Sequence, residues 1–297
     1  MEQNQLIKNA SYVSVATGVI IFLIKALGWA NSQSISLFAS LIDSLLDVTS
    51  SILNAIAIQI ALSPPDEKHR FGHNKVQDLA IFAQSIFFIS SGGFTLFISI
   101  KKLLSKQHIQ NYEQGILSMI LCSSICVALV LYQSYVIKKT QSSIIRSDRA
   151  HYLSDLLSNF GVIISIIGSN YYAYLDGIFG ILISFYIMYA AYDLLKHSIG
   201  NLIDAEFTAK DKAIVFKIIK NDTAILGVHD MKTRYAGDKA FIQMHIDLDP
   251  HISLIEAHTI SENLTHNLLE AFPNGEVIIH QDPIGHDKKI EHRENIA

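Results

Sequence analysis

Two cysteines in 297 residues, Cys122 and Cys126, cannot staple a fold, which excludes a disulfide scaffold. Charge is scarce as well. Asp, Glu, Lys and Arg make up 17% of the chain, where an ordinary soluble domain carries about 25%. A formal net charge of −4 offers nucleic acid no attractive field, so no nucleic-acid partner is expected. Fifteen glycines and five prolines rule out a collagen-like repeat. No His-Glu-x-x-His helix is present, which argues against a membrane metallohydrolase, and no enzyme is expected. What the chain has in excess is apolar. Half of its residues are hydrophobic and the mean hydropathy is +0.31. That excludes disorder and points to a bilayer as partner.

The apolar residues are unevenly placed. Six segments approach the roughly 20 apolar residues that a membrane-spanning helix needs: 10–30, 34–62, 79–100, 116–137, 150–169 and 171–194. The first is too long for a signal-peptide core and lacks a clear small-residue cleavage site, so it is read as a helix. Its Lys25 is expected near an interface, snorkelling to water. Lys68, Arg70, Lys75, Lys138, Lys139, Arg146 and Arg149 fall in the loops of one side, and Lys101, Lys102 and Lys106 in a loop of the other. The bias places both termini in the cytoplasm.

Beyond Asp204 the pattern changes. Residues 208–220 read as a helix, 228–235 and 239–249 as two strands, 255–272 as an amphipathic helix and 276–282 as a third strand. The fold class expected is therefore a six-helix membrane domain (1–204) followed by an α+β ferredoxin-like domain (205–285). Residues 286–297 are a polar tail.

Asp43 and Asp47 stand inside the second apolar segment, four residues apart, so both carboxylates leave one helix face. Buried in a membrane they would repel each other unless a cation sits between them. His151 and Asp155 repeat that spacing in the fifth segment. One imidazole and three carboxylates from two helices suit a tetrahedral site for Zn²⁺ or a similar divalent ion. Cys122 and Cys126 share the same spacing, but cysteines in an apolar helix are expected to pack rather than to bind. Asp66, His69 and His73 sit in the loop after the second segment, where spacing alone allows equally a metal site or a solvated loop. His229, His245, His258 and His280 fall on the strands and second helix of the C-terminal domain, and each alone reads as a surface histidine. Asp282 shares a strand face with His280.

Asp43-Ser-Leu-Leu-Asp47 together with His151-Tyr-Leu-Ser-Asp155, on six helices followed by a small α+β domain, resembles the cation diffusion facilitator family, and among its members the bacterial zinc and ferrous-iron efflux type. The resemblance runs from about residue 10 to residue 283. It implies a homodimer in the inner membrane that exports divalent metal from the cytoplasm in exchange for protons. The order of expectation is Zn²⁺ first, then Fe²⁺, with Cd²⁺ and Co²⁺ as further cargoes. The resemblance also implies a second metal site at Asp66, His69 and His73. It implies a two-metal cluster at His229, His245, His258, His280 and Asp282, with Gln281 placed to orient a ligand. Lys75 and Asp204 match a pair that ties the dimer together at the membrane surface. A metal sensor that binds without transporting is the alternative.

Overall fold

A computed structural model describes residues 2–32, 35–105, 113–169 and 175–285, though the side chains of several helix residues, Asp43 among them, lie outside the description. The polar tail and the start of the sixth apolar segment also lie outside it. Two compact units divide between Ile199 and Gly200.

Among the described residues the first unit has six long helices: α1 (Glu2–Ser32), α2 (Ile35–Ala61), α3 (Lys75–Ser105), α4 (Glu113–Thr140), α5 (Ser143–Ser169) and α6 (Leu175–Leu202). Each overlaps one expected apolar segment. Among the described residues, α1 to α4 each hold a stretch long and apolar enough to cross a membrane. A helix satisfies its own backbone groups, which is why apolar segments without water take this form. The polarity of the bundle is inverted relative to a soluble protein. Leu27, Phe94, Phe97, Leu131 and Tyr189 face outward, while Ser14, Asn54, Gln84, Gln133 and Asp148 are buried between helices. Helix α1 packs on α2 and α4, α4 on α5, and α2 on α3. Helices α3 and α6 approach closely through glycines: a Cβ at Gly180 would lie 2.2 Å from Ser99 Oγ, and one at Gly92 2.8 Å from Met188 Cγ. Small residues at such crossings let helix backbones come together where no hydrophobic drive from water exists.

The second unit runs α7 (Ala209–Lys220), β1 (Gly227–Ala236), β2 (Lys239–Leu248), α8 (Leu254–Ala271) and β3 (Glu276–Pro283). Thr208 caps α7, and Ser253 with Glu256 forms a capping box on α8. Strands β1 and β2 are antiparallel across a two-residue turn with Gly237 at φ 56°. Strand β3 lies parallel to β2, in the order β1-β2-β3, so α8 serves as the crossover helix. The sequence implies that crossover only through its element order. Alternation along β2 sends Ile242, Met244 and Ile246 into a core with Val215, Ile219, Leu264 and Leu268 of the helices. The other face carries Gln243, His245 and Asp247. A bulge between His229 and Lys232, with Asp230 at φ 48°, shifts β1 by one residue. Without it His229 and Met231 would share a face. With it Met231 enters the core and His229 turns to the face of His245.

Candidate metal centres

Three clusters of ligand-type side chains form among the described residues, each with ligand atoms within 4.8 Å of one another. Asp47 of α2 meets His151 and Asp155 of α5. His151 Nε2 lies 3.0 Å from Asp47 Oδ1 and 3.6 Å from Asp155 Oδ2. Donors about 2.0 Å from a tetrahedral ion stand about 3.3 Å apart, so these separations fit one ion with little movement. Phe88 of α3 stacks on the imidazole, centroids 4.8 Å apart and planes at 15°, which fixes the ring's plane. Asp43 occupies the position one turn before Asp47 on α2, and its side chain lies outside the described residues.

The cluster lines a cavity of about 350 Å³ shared by α1 to α6. Lys25 also lines it. A lysine within a membrane domain is costly facing lipid and is retained where it meets a cavity or an acid. Cys122 and Cys126 border the same cavity and belong to a buried cluster with Ile21, Leu129 and Tyr152.

One turn before His151, Asp148 is buried and unites four helices. Ser14 Oγ of α1 donates to its Oδ2, Gln133 Nε2 of α4 donates to the same oxygen at 2.7 Å, and Asn54 Nδ2 of α2 donates to Oδ1 at 3.2 Å. Gln84 of α3 joins the network by accepting from Asn54 and from Ser147. Tyr152 donates to the Ser14 carbonyl at 3.2 Å and lies 3.1 Å from Ser51 Oγ. Three side chains from three other helices thus meet the two oxygens of Asp148. Sequence reading missed this residue. Its one visible signal is that Asp148 precedes His151 by three positions, on the same helix face.

The loop cluster is compact and more open. Asp66 Oδ1 accepts from the His69 backbone at 2.6 Å and lies 3.1 Å from His69 Nδ1, and Oδ2 lies 3.3 Å from His73 Nε2. The His69 N–H holds the Asp66 carboxyl below its ordinary range, so this ligand is ionised at neutral pH. Gly72 at φ 89° makes the turn that returns His73 to the cluster.

In the C-terminal unit three histidines stand abreast. His229 pairs with His245 across β1 and β2, and His245 with His280 across β2 and β3. Asp282 lies among them: Oδ2 is 2.7 Å from His245 Nδ1 and 3.5 Å from His229 Nε2, and Oδ1 is 3.2 Å from His280 Nε2. Both Asp282 oxygens thus face histidine nitrogens. His258 is exposed on α8 and is not one of the three converging residues His229, His245 and Asp282. Gln281 points to the opposite face and donates to Ser261 Oγ of α8 at 2.7 Å, so it anchors β3 to the helix layer instead of orienting a ligand. Asp204 accepts from Arg234 Nη1 at 2.9 Å, a partner the sequence comparison with Lys75 did not suggest.

Comparison with known proteins follows the two units. Residues 11–203 match the family described as the cation efflux transmembrane domain, and residues 208–284 the cation efflux protein cytoplasmic domain. "Protein p34" of Rickettsia prowazekii is 48% identical over 294 residues, covering 99% of this chain and 98% of that protein. The "Cation-efflux pump FieF" of Shewanella oneidensis is 40% identical over 279 residues, covering 94% of each. Among solved structures, the metal-bound C-terminal domain of the CzcD transporter from Thermotoga maritima is 26% identical. It covers 26% of this chain and 91% of that one, with a TM-score of 0.25.

Proposed function

The chain belongs to the cation diffusion facilitator family, and on that premise we propose that it exports divalent metal from the cytoplasm in exchange for protons. Zn²⁺ is the first cargo, with Fe²⁺, Cd²⁺ and Co²⁺ as further candidates. The observation that carries this reading is the convergence of Asp47, His151 and Asp155 on one cavity inside the helical unit. One imidazole with carboxylates suits borderline cations of that kind. The names of relatives such as the Shewanella oneidensis cation-efflux pump support export over sensing.

Binding needs carboxylates without protons and a neutral imidazole, so metal and protons compete for the same atoms. Metal entering from the cytoplasm displaces the His151 proton, and protons arriving from the far side displace the metal. Asp47 lies on α2 while His151 and Asp155 lie on α5, so relative movement of the two helices opens or closes the ligand set. Asp43, one turn from Asp47, completes the set as the fourth donor. The clusters at Asp66, His69 and His73 and at His229, His245, His280 and Asp282 take the same ions as accessory or regulatory sites. His258 completes the last of these from its exposed position on α8. The working unit is a homodimer in the inner membrane, with both termini in the cytoplasm.

Proteoliposomes with an internal pH dye test the reading. External Zn²⁺ drives proton movement through the wild type and not through Asp155→Ala, and a series of Fe²⁺, Cd²⁺, Co²⁺ and Mn²⁺ ranks the cargoes. Binding of Zn²⁺ without transit across the sealed bilayer would refute transport and favour a sensor.

A further inference from the structure

Asp247 is buried on β2, on the same strand face as His245, and none of the metal-site expectations includes it. Its Oδ1 lies 3.4 Å from His229 Nδ1, while the other ring nitrogen of His229, Nε2, faces Asp282 Oδ2 at 3.5 Å. The imidazole therefore lies between two carboxylates, one at each nitrogen. The backbone is shaped to admit the first. Gly227 pairs directly with Asp247 across the strands, and a Cβ there would lie 2.2 Å from Asp247 Oδ2 and 3.1 Å from its Cγ. Any larger residue at 227 pushes the carboxylate away from the histidine.

We propose that Asp247 is a positioning residue of the cytoplasmic metal centre: its carboxylate accepts the Nδ1 proton of His229 and so presents Nε2, with its lone pair, to a metal shared with His245 and Asp282. The inference rests on reading those three as metal ligands. A metal-bound histidine commonly gives its second N–H to a carboxylate, which sets the tautomer, holds the ring and raises its basicity. The bulge that turns His229 to this face and the glycine that admits Asp247 belong to one arrangement: the first aims the ring, the second makes room for its partner. The role needs an acceptor at Asp247, not a negative charge. That separates it from direct ligation.

The test uses the full chain purified in detergent, carrying Asp47→Ala and Asp66→Ala so that the cytoplasmic centre is the one measured. Zn²⁺ affinity is read by competition with a chromophoric chelator. Asp247→Ala lowers affinity by about 10- to 100-fold, the usual cost of losing such a partner. Gly227→Ala lowers it comparably without touching either carboxylate. Asp247→Asn, whose Oδ1 still accepts from Nδ1, stays within about threefold of the parent on the same reasoning. Unchanged affinity in Asp247→Ala overturns the proposal, as does an Asn variant as weak as the Ala variant. Loss of rescue cannot then be blamed on folding if the metal-free Asn variant melts with the parent. If the parent itself shows no Zn²⁺ binding that His245→Ala removes, the ligand reading fails first, and that result is distinct from the others.

Discussion

Replacing Asp148 by alanine removes one carboxylate and frees three donors on three helices: Ser14 on α1, Asn54 on α2 and Gln133 on α4. Interhelical hydrogen bonds in membrane proteins average about 0.6 kcal/mol and reach about 1.7 kcal/mol, so losing three costs about 2 to 5 kcal/mol. Since 1.4 kcal/mol is tenfold, the ratio of folded to unfolded protein falls by about thirty-fold to a few thousand-fold. The asparagine variant separates geometry from volume. An amide oxygen at the Oδ2 position keeps the bonds from Ser14 and Gln133, while its NH₂ then meets the Asn54 NH₂, and one bond is lost. Asp148→Asn is therefore less stable than wild type by about 1 kcal/mol, and Asp148→Ala is the least stable of the three. Titration with SDS in mixed micelles, followed by helical circular dichroism, gives the order. An alanine variant unfolding together with wild type would refute the hub. So would an asparagine variant less stable than the alanine one.

Other outcomes follow from local geometry. Gly180→Ala brings a Cβ to 3.0 Å from Ser99 Cβ as well as against its hydroxyl, lowering stability by about 1 to 3 kcal/mol. Adding Ser99→Gly restores most of that loss in a double-mutant cycle, and no restoration would mean that α3 and α6 do not meet there. At the loop, Asp66 has a lowered pKa from the His69 backbone N–H, so its contribution is present above its ordinary value of 3.8 and is lost only on falling through the lower folded value. Between pH 7 and pH 5 it stays ionised. Asp66→Asn weakens Zn²⁺ binding at the loop at pH 7 and at pH 5 alike; an unchanged affinity in chelator competition counts against this. Ser253→Ala removes the capping box of α8 and costs about 1 kcal/mol, measurable as a lower melting temperature of the cytoplasmic unit.

The legible part of the intramembrane cluster is the part carried by helical spacing. Asp43 and Asp47, then His151 and Asp155, are four residues apart, and a helix fixes what four residues apart means. An acid in an apolar run also announces itself, because few reasons other than function keep it there. Lys25 was visible for the same reason, but its position on the cavity was not. Whether a lysine snorkels or lines a cavity depends on which side of α1 meets α4 and α5. Asp148 stayed hidden because its partners Ser14 and Asn54 are 134 and 94 positions away. Periodicity over a short window carries no information about that meeting.

In the cytoplasmic unit, alternation placed His245 and Asp247 on the polar face of β2, and turn residues placed β1 beside it. The family resemblance put the histidines in one cluster, but the row they form required register. A slip of one residue would send a whole strand's side chains to the other face. The bulge after His229 is such a shift, made locally, and nothing in Gly-Val-His-Asp spells it out. Gln281 shows the converse. Adjacent to His280 in sequence, it projects to the other face and binds Ser261 instead.

Sequence alone determined the two-part architecture, the six apolar helices, and the pairing of acids with a histidine at helical spacing. These are properties of composition and of local backbone period, and both are complete within a few turns of chain. Tertiary structure set the distances at which Asp47 meets His151 and Asp155 across α2 and α5, a meeting the paired spacings led us to expect. It also decided that Asp148 gathers four helices, and that Asp247 reaches His229 past a glycine. Those contacts depend on how helices cross and how strands register, and such choices are set by packing summed over the whole unit.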